Sequence, residues 1–241
     1  MSKTSFSADV PVIYAFSARK DGNMSLSYGD TGDSLDSRRK FLSGLGIDYK
    51  DLVCAKQVHG ARVIYAREGE SGKGALSYDN ALEDTDALVT DKKNLPLAIF
   101  TADCLSVFLY DALTPAAGVV HAGWRSSKEN ITAAAIKLMQ KEFNSRVENI
   151  YLSFGPALRK CCYKVSADFK DHFGAEFFSE QNGSYYFDLV GLNKKQATAC
   201  GIREGNISDC QICTSCSGKE FFSYRKEAAS CGRMISVIML R

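Results

Sequence analysis

Two apolar runs stand out in the pattern of hydrophobic and polar positions: residues 105–110 and 116–121, rich in Val, Leu and aromatics. Between them Asp111-Ala-Leu-Thr-Pro115 supplies turn chemistry, so the pattern predicts a β-hairpin. Cys104 and His121 stand equidistant from Ala112/Leu113, and a simple register sets them side by side at the open end. Directly opposed residues have Cβ atoms about 4.5–5.5 Å apart. At that separation a thiolate and an imidazole can share one zinc ion, or share one proton as a catalytic dyad. The plainer reading of the same pattern is a core hairpin that holds one buried cysteine and one histidine.

Elsewhere, residues 10–17, 52–58, 62–66, 85–90 and 95–101 read as strands before the hairpin, and 150–154, 162–165, 206–213 and 234–240 after it. A helix capped by Asp33 or Ser34 carries Leu35, Phe41, Leu42 and Leu45 at helical spacing and ends at Gly44 and Gly46. The longest helix candidate is 126–143, with Ile131, Ala134/Ala135, Leu138, Met139 and Phe143 as its buried stripe. Residues 167–173 and 189–200 also read as helical, the second stopped by Gly201. Residues 68–81 are rich in Gly, Ser and charge, and predict a mobile loop or lid. No repeat or Pro- or Ser-rich linker divides the chain, so the expectation is one α/β domain over residues 1–241 with a large mixed sheet. Strands that follow one another directly rule against strict βαβ alternation.

Composition narrows the function. A net charge of +2 gives no electrostatic case for nucleic acid or an anionic membrane as partner. Apolar stretches such as 10–16 and 95–100 are far too short to span a bilayer. The first residues show no basic region followed by a long apolar core, so the expected compartment is the cytoplasm. There, nine cysteines bind metals or pack in cores rather than cross-link. Cys210-x-x-Cys213-x-x-Cys216 has the spacing of an iron–sulfur run without its fourth Cys-Pro. A structural metal there would need Cys231 or Cys200 brought close. The expectation is instead reduced, partly buried thiols, with Cys54, Cys161 and Cys162 as packing residues. Only three histidines occur: His59, His121 and His172, the last beside Asp168 and Asp171 on a polar, solvated stretch.

His59 ends a predicted strand in Lys56-Gln57-Val58-His59-Gly60, where its plain reading is a polar cap. With Cys104 and His121 it completes a His₂Cys set. Three protein ligands and one open position form the pattern of a catalytic zinc, about one per chain.

KQVHG, TADC before an apolar strand, VVHAGWR, GPAL followed by CCY, and FFSYR, in this order over nearly the whole chain, resemble the motifs of the YfiH family. Its members are also called laccase-domain proteins or purine nucleoside phosphorylases. The resemblance implies an α/β sandwich distantly like the cytotoxic-necrotizing-factor deamidases, and a zinc site with ligands at His59, Cys104 and His121. It also implies phosphorolysis of adenosine, inosine and guanosine, adenosine deamination, or, as in some bacteria, editing of peptidoglycan precursors. The chain departs from the family at Ser27-Tyr28-Gly29 (Asn-Leu-Gly), Tyr163-Lys164-Val165 (Tyr-Glu-Val) and Cys231-Gly232-Arg233 (Thr-Gly-Arg).

Three histidines cannot build a multicopper cluster, and none of the five methionines lies near these motifs to serve a blue-copper site. With zinc, a bound water of lowered pKa can attack C6 of adenine. In phosphorolysis, phosphate attacks C1′ of the ribose. Arg19, Arg125 and Arg225 are candidates for phosphate, and Trp124 for stacking. Gln57 can read a purine edge or orient His59. Asp103 is a candidate general base, or a partner to a ligand histidine. Each also reads plainly as surface charge or a strand-end contact. Three functions follow. The first is a zinc-dependent purine nucleoside phosphorylase, taking nucleosides and phosphate as a monomer or homodimer, with deaminase activity. The second is a cysteine hydrolase or amidase, peptidoglycan-precursor editing included, with Cys104 as nucleophile and His121 as base. The third is a metal-stabilised binding module. The metal needs His59, and the dyad does not.

Overall fold

Short runs of β-branched, aliphatic and aromatic residues, buried on both faces, form the central strands of the molecule. The structure is a computed structural model that describes residues 11–241. In chain order its strands are β1 Val12–Phe16, β2 Val53–Cys54, β3 Val63–Tyr65, β4 Ala87–Thr90, β5 Leu97–Thr101, β6 Leu105–Asp111, β7 Ala116–Ala122, β8 Ile150–Phe154, β9 Lys164–Val165, β10 Phe178–Gln181, β11 Ser184–Phe187, β12 Ile207–Asp209 and β13 Met234–Leu240. The helices are α1 Thr31–Ser43, α2 Trp124–Lys128, α3 Ile131–Phe143, α4 Leu189–Ala199 and α5 Tyr224–Glu227. Val10, the first residue of the predicted strand 10–17, lies outside the described residues.

Two mixed sheets, ordered β1-β13-β5-β2 and β12-β8-β6-β7-β4-β3, pack face to face. Side-chain alternation explains the layering. Phe108 and Tyr110 of β6 point toward Ile238 and Leu240 of the smaller sheet. Val107 and Leu109 point the other way, onto Ile131, Ala135, Ile136 and Met139 of α3. Ile235, Val237 and Met239 of β13 cover Leu42 of α1. The result is an α/β/β/α sandwich in which both sheets are covered on both faces, so their strands read as continuous apolar runs. A third sheet, β10-β11-β9, precedes α4 in the chain, and its Phe178 and Phe187 join the core beneath α3. Among the described residues, no helix is long and apolar enough to cross a membrane.

Several expectations are corrected in detail. The α1 helix is capped by Asp30, whose carboxylate accepts from the Asp33 amide at 3.0 Å, rather than by Asp33 or Ser34. The predicted helix 126–143 is two helices, broken at Asn130 in the left-handed conformation that asparagine tolerates. A buried network holds the break: Thr132 donates to Asn193, which donates to Ser127. Residues 68–81 fold down rather than forming a free lid. Ala75 is buried there, and the Arg38 guanidinium donates to the carbonyls of Gly74 and Ala75 at 2.9 and 2.7 Å.

The hairpin register also differs. β6 and β7 pair Leu105 with Ala122 and Ser106 with His121, so Cys104 and His121 are not directly opposed. Asp111 is the cause. Its carboxylate accepts from the amides of Leu113 and Thr114, which folds residues 112–115 into the turn and moves its centre toward Thr114. The resulting shift is two residues, and an even shift keeps every side chain on its face.

Candidate metal centre

The centre forms where β4, β6 and β7 end together. β4 runs antiparallel to β7 with Ala87 opposite Val120, and one step further the His121 amide donates to the Asp86 carbonyl at 2.7 Å. Nδ1 of His121 also lies 2.7 Å from the Asp86 carboxylate, both groups being buried. A carboxylate only accepts, so Nδ1 carries a proton and Nε2 is left as the ring atom that can take a metal. The same carboxylate receives the amides of Val58, His59 and Gly60 at 3.1, 3.0 and 2.9 Å. These three bonds hold His59 in a left-handed conformation, φ 62°, which a histidine adopts only when its surroundings determine it. Asp103 likewise has φ 87° and turns the chain so that Cys104 enters the site just before β6.

The donor atoms of His59, Cys104 and His121 all lie within 4.8 Å of one another. The two imidazoles meet edge to face, with ring centroids 4.7 Å apart. A Cβ at Gly123 would stand 3.1 Å from both Cys104 Sγ and the His59 ring, so glycine keeps the space around the donors open. Burial pushes the Cys104 thiol up, but the charge of His121 and hydrogen bonds to both histidines outweigh it and bring the pKa down to about 6. Burial lowers His121 in turn, but Cys104 and Asp86 raise it to about 9. Burial raises the Asp86 carboxyl, and the imidazole and backbone amides more than offset it, leaving the pKa below its ordinary value. One thiolate and two imidazoles, one of them backed by a carboxylate, fit a borderline-soft divalent metal.

The donors face a cleft of about 850 Å³, within the usual range of small-molecule sites. Trp124 and Arg125 both line it, with the Arg125 guanidinium 4.3 Å above the indole. Arg225 lines it beside Tyr163 and donates to the Lys164 carbonyl at 2.9 Å. Gln57 borders the cleft, but its amide is engaged at both ends: it donates to the Phe100 carbonyl and accepts from the Phe100 amide. It therefore ties the segment before His59 to β5.

Two placements correct the expected site. Asp103 does not face a ligand histidine: its carboxylate accepts from Thr214 and from the Arg225 amide, both at 2.6 Å, and Asp86 takes the place expected of it. Arg19 lies outside the lining of this cleft, bound by Glu227 and the Phe221 carbonyl. Two residues unassigned in the sequence join the site. Asp86 is one: a carboxylate at the head of an apolar strand was the visible signal. Arg233 is the other, lying 3.8 Å over Tyr28 within the cleft. His172 is exposed, its ring stacked 5.7 Å from Trp124.

A mixed α/β sandwich with a three-donor His₂Cys centre, set in a cleft lined by arginines, defines the class. The family described as multi-copper polyphenol oxidoreductase laccase matches residues 15–241, and the chain belongs to it. The chain is 31% identical over 225 residues to "Purine nucleoside phosphorylase YlmD" of Geobacillus stearothermophilus, covering 90% of this chain and 82% of that one. It is 30% identical to "Adenosine deaminase RL5" from an unknown prokaryotic organism, over 99% of this chain and 98% of that one. Among solved structures, the Bacillus licheniformis hypothetical protein YfiH superposes with a TM-score of 0.91 at 29% identity, over 99% of this chain and 100% of that chain. Only two of the three histidines reach the centre, too few for the copper cluster in the family's description.

Proposed function

We propose that the chain, acting as one domain over residues 1–241, is a zinc-dependent purine nucleoside phosphorylase. It would take adenosine, inosine or guanosine with phosphate and release base and ribose 1-phosphate, with adenosine deamination as a second activity. The observation that carries this reading is the convergence of His59, Cys104 and His121 within 4.8 Å on a cleft lined by arginines. The relatives' names support it. A zinc ion held by these three residues would leave one position open, and when bound it supplies Lewis acidity to an oxygen there. Arg125 and Arg225 hold phosphate, whose oxygens match a guanidinium fork. One phosphate oxygen bonds to C1′ as the C1′–N9 bond breaks, and the electron pair leaves on the purine. Trp124 and Tyr163 hold these guanidinium groups over their rings, Arg125 at 4.3 Å and Arg225 at 5.4 Å, and so aim them within the cleft. Burial foremost, then the charge of Cys104, raises the Tyr163 pKa, so its hydroxyl keeps its proton and acts as a donor. A thiolate ligand works only when reduced, which suits a reducing compartment such as the cytoplasm.

One observation favours a second reading. Cys104, His121 and Asp86 form a thiol–imidazole–carboxylate series suited to a nucleophilic cysteine. His59→Ala separates the two. We expect it to lose the zinc of this centre and purine release together, and chelated wild type to regain phosphate-dependent purine release from inosine when zinc returns. A metal-free protein that hydrolyses an amide, is blocked by thiol alkylation and tolerates His59→Ala would establish the cysteine hydrolase instead.

A further inference from the structure

Four cysteines outside the cleft are unexplained by packing. Cys161 and Cys216 are exposed, Cys162 is half-buried, and only Cys213 is buried. Free cysteine is among the most buried residue types, so two exposed thiols in one cluster call for another cause. The sulfurs of all four lie within 4.8 Å of one another. Cys216 Sγ stands 3.5 Å from that of Cys161 and 3.4 Å from that of Cys162. A disulfide needs about 2.05 Å. Four sulfurs about 2.3 Å from a central zinc are about 3.8 Å apart at tetrahedral angles. The observed separations lie close to that tetrahedron and far from a disulfide.

The backbone prepares this arrangement without the sulfurs. The chain around Ala157 runs parallel to that around Cys213: Ala157 donates to the Ile212 carbonyl at 3.2 Å, and Thr214 donates back to Ala157 at 3.0 Å. Arg159 locks the same two segments, with Nε donating to the Ile212 carbonyl at 3.0 Å and its fork gripping Asp209. The amides of Cys162 and Tyr163 both turn back to the Arg159 carbonyl at 2.8 Å, which brings Cys161 and Cys162 round. The Ser217 amide closes a turn onto the Cys213 carbonyl at 3.0 Å, so Cys213-x-x-Cys216 forms a tight knuckle. The partners of this knuckle are therefore Cys161 and Cys162, not Cys231 or Cys200, and the four are not merely packing thiols.

We propose that Cys161, Cys162, Cys213 and Cys216 bind a second zinc ion, a closed four-thiolate site distinct from the His59–Cys104–His121 centre. Four Zn–S bonds form, and the thiol protons pass to solvent. With all four positions filled by protein, the ion is structural. It clips the segment that carries Leu158 and Tyr163 into the cleft to the neighbouring segment around Thr214. Tyr163 follows Cys162 directly and lines the cleft, and Thr214, inside the knuckle, donates to the Asp103 carboxylate next to Cys104.

The test is metal content of full-length protein purified under reducing conditions. Wild type should hold about two zinc ions per chain, and a Cys213→Ser/Cys216→Ser variant and a His59→Ala/His121→Ala variant about one each. Cobalt supplies a second measurement that does not depend on the serine variant folding. Cobalt-loaded His59→Ala/His121→Ala protein should show the intense thiolate-to-cobalt charge transfer of a four-sulfur tetrahedral site. A wild type with no more than one zinc, all of it lost in the His59→Ala/His121→Ala variant, would overturn the proposal. So would a disulfide among the four detected by mass in reduced-purified protein, or bound iron with its visible absorption in place of zinc.

Discussion

Asp86 organises the centre without offering it a donor atom. Its carboxylate takes the Nδ1–H of one proposed ligand, His121, and the main-chain amide of the other, His59, along with the amides of Val58 and Gly60. One group therefore sets the tautomer of one imidazole and the backbone conformation of the other. Asp86→Asn keeps the size but replaces one acceptor oxygen with an NH₂ that must face donors. Loss of such a partner to a ligand histidine typically costs about 10–100-fold in metal affinity. We expect a drop of that order in zinc affinity, measured by chelator competition on folded protein. Unchanged affinity would mean that packing alone orients the imidazoles.

Segments are fixed by single residues in the same way. Arg38 is a fully buried cation on α1 whose donors go to the carbonyls of Met24, Gly74 and Ala75, and burial lowers its pKa. It pins the segment whose Gly, Ser and charge content reads as a mobile loop. Arg38→Met leaves three carbonyls without this donor at about 1–3 kcal/mol each. The expected loss is about 3 kcal/mol or more in stability, read in denaturant unfolding, with protease cleavage appearing first in residues 68–81. A variant as stable as wild type would show that water replaces the guanidinium. The hairpin shows what local pattern can and cannot reveal. Its strands follow from composition, but its register turns on two amides caught by Asp111, a contact that hydrophobicity does not record. Cys104 still shares a site with His121 because the shift is even. The β10–β11 hairpin is legible in its turn: Asn182-Gly183 is a turn signal, and both residues take positive φ, 50° and 68°.

Most of what the sequence hides depends on pairings distant along the chain. Asp86 meets His121 only because β4 lies beside β7, and Cys161 meets Cys216 only because two loops run parallel. The centre draws on residues from His59 to Cys104 to His121, and Arg225 joins the same cleft, so it exists only when the whole sandwich is folded. Its pH response belongs to the folded molecule too. In the metal-free centre the thiol of Cys104 titrates at about 6 and the imidazole of His121 at about 9. Between those values the thiolate is already formed, and zinc must displace the proton on His121. Below about 6 it must displace the proton on Cys104 as well. Zinc affinity should therefore fall as pH falls, by about tenfold per pH unit for one displaced proton, and more steeply once the thiol is protonated. Chelator competition from pH 5 to 8 on the Cys213→Ser/Cys216→Ser variant, which isolates this centre, reads the slope directly. A pH-independent affinity in that range would mean that these residues do not bind the metal as thiolate and neutral imidazoles.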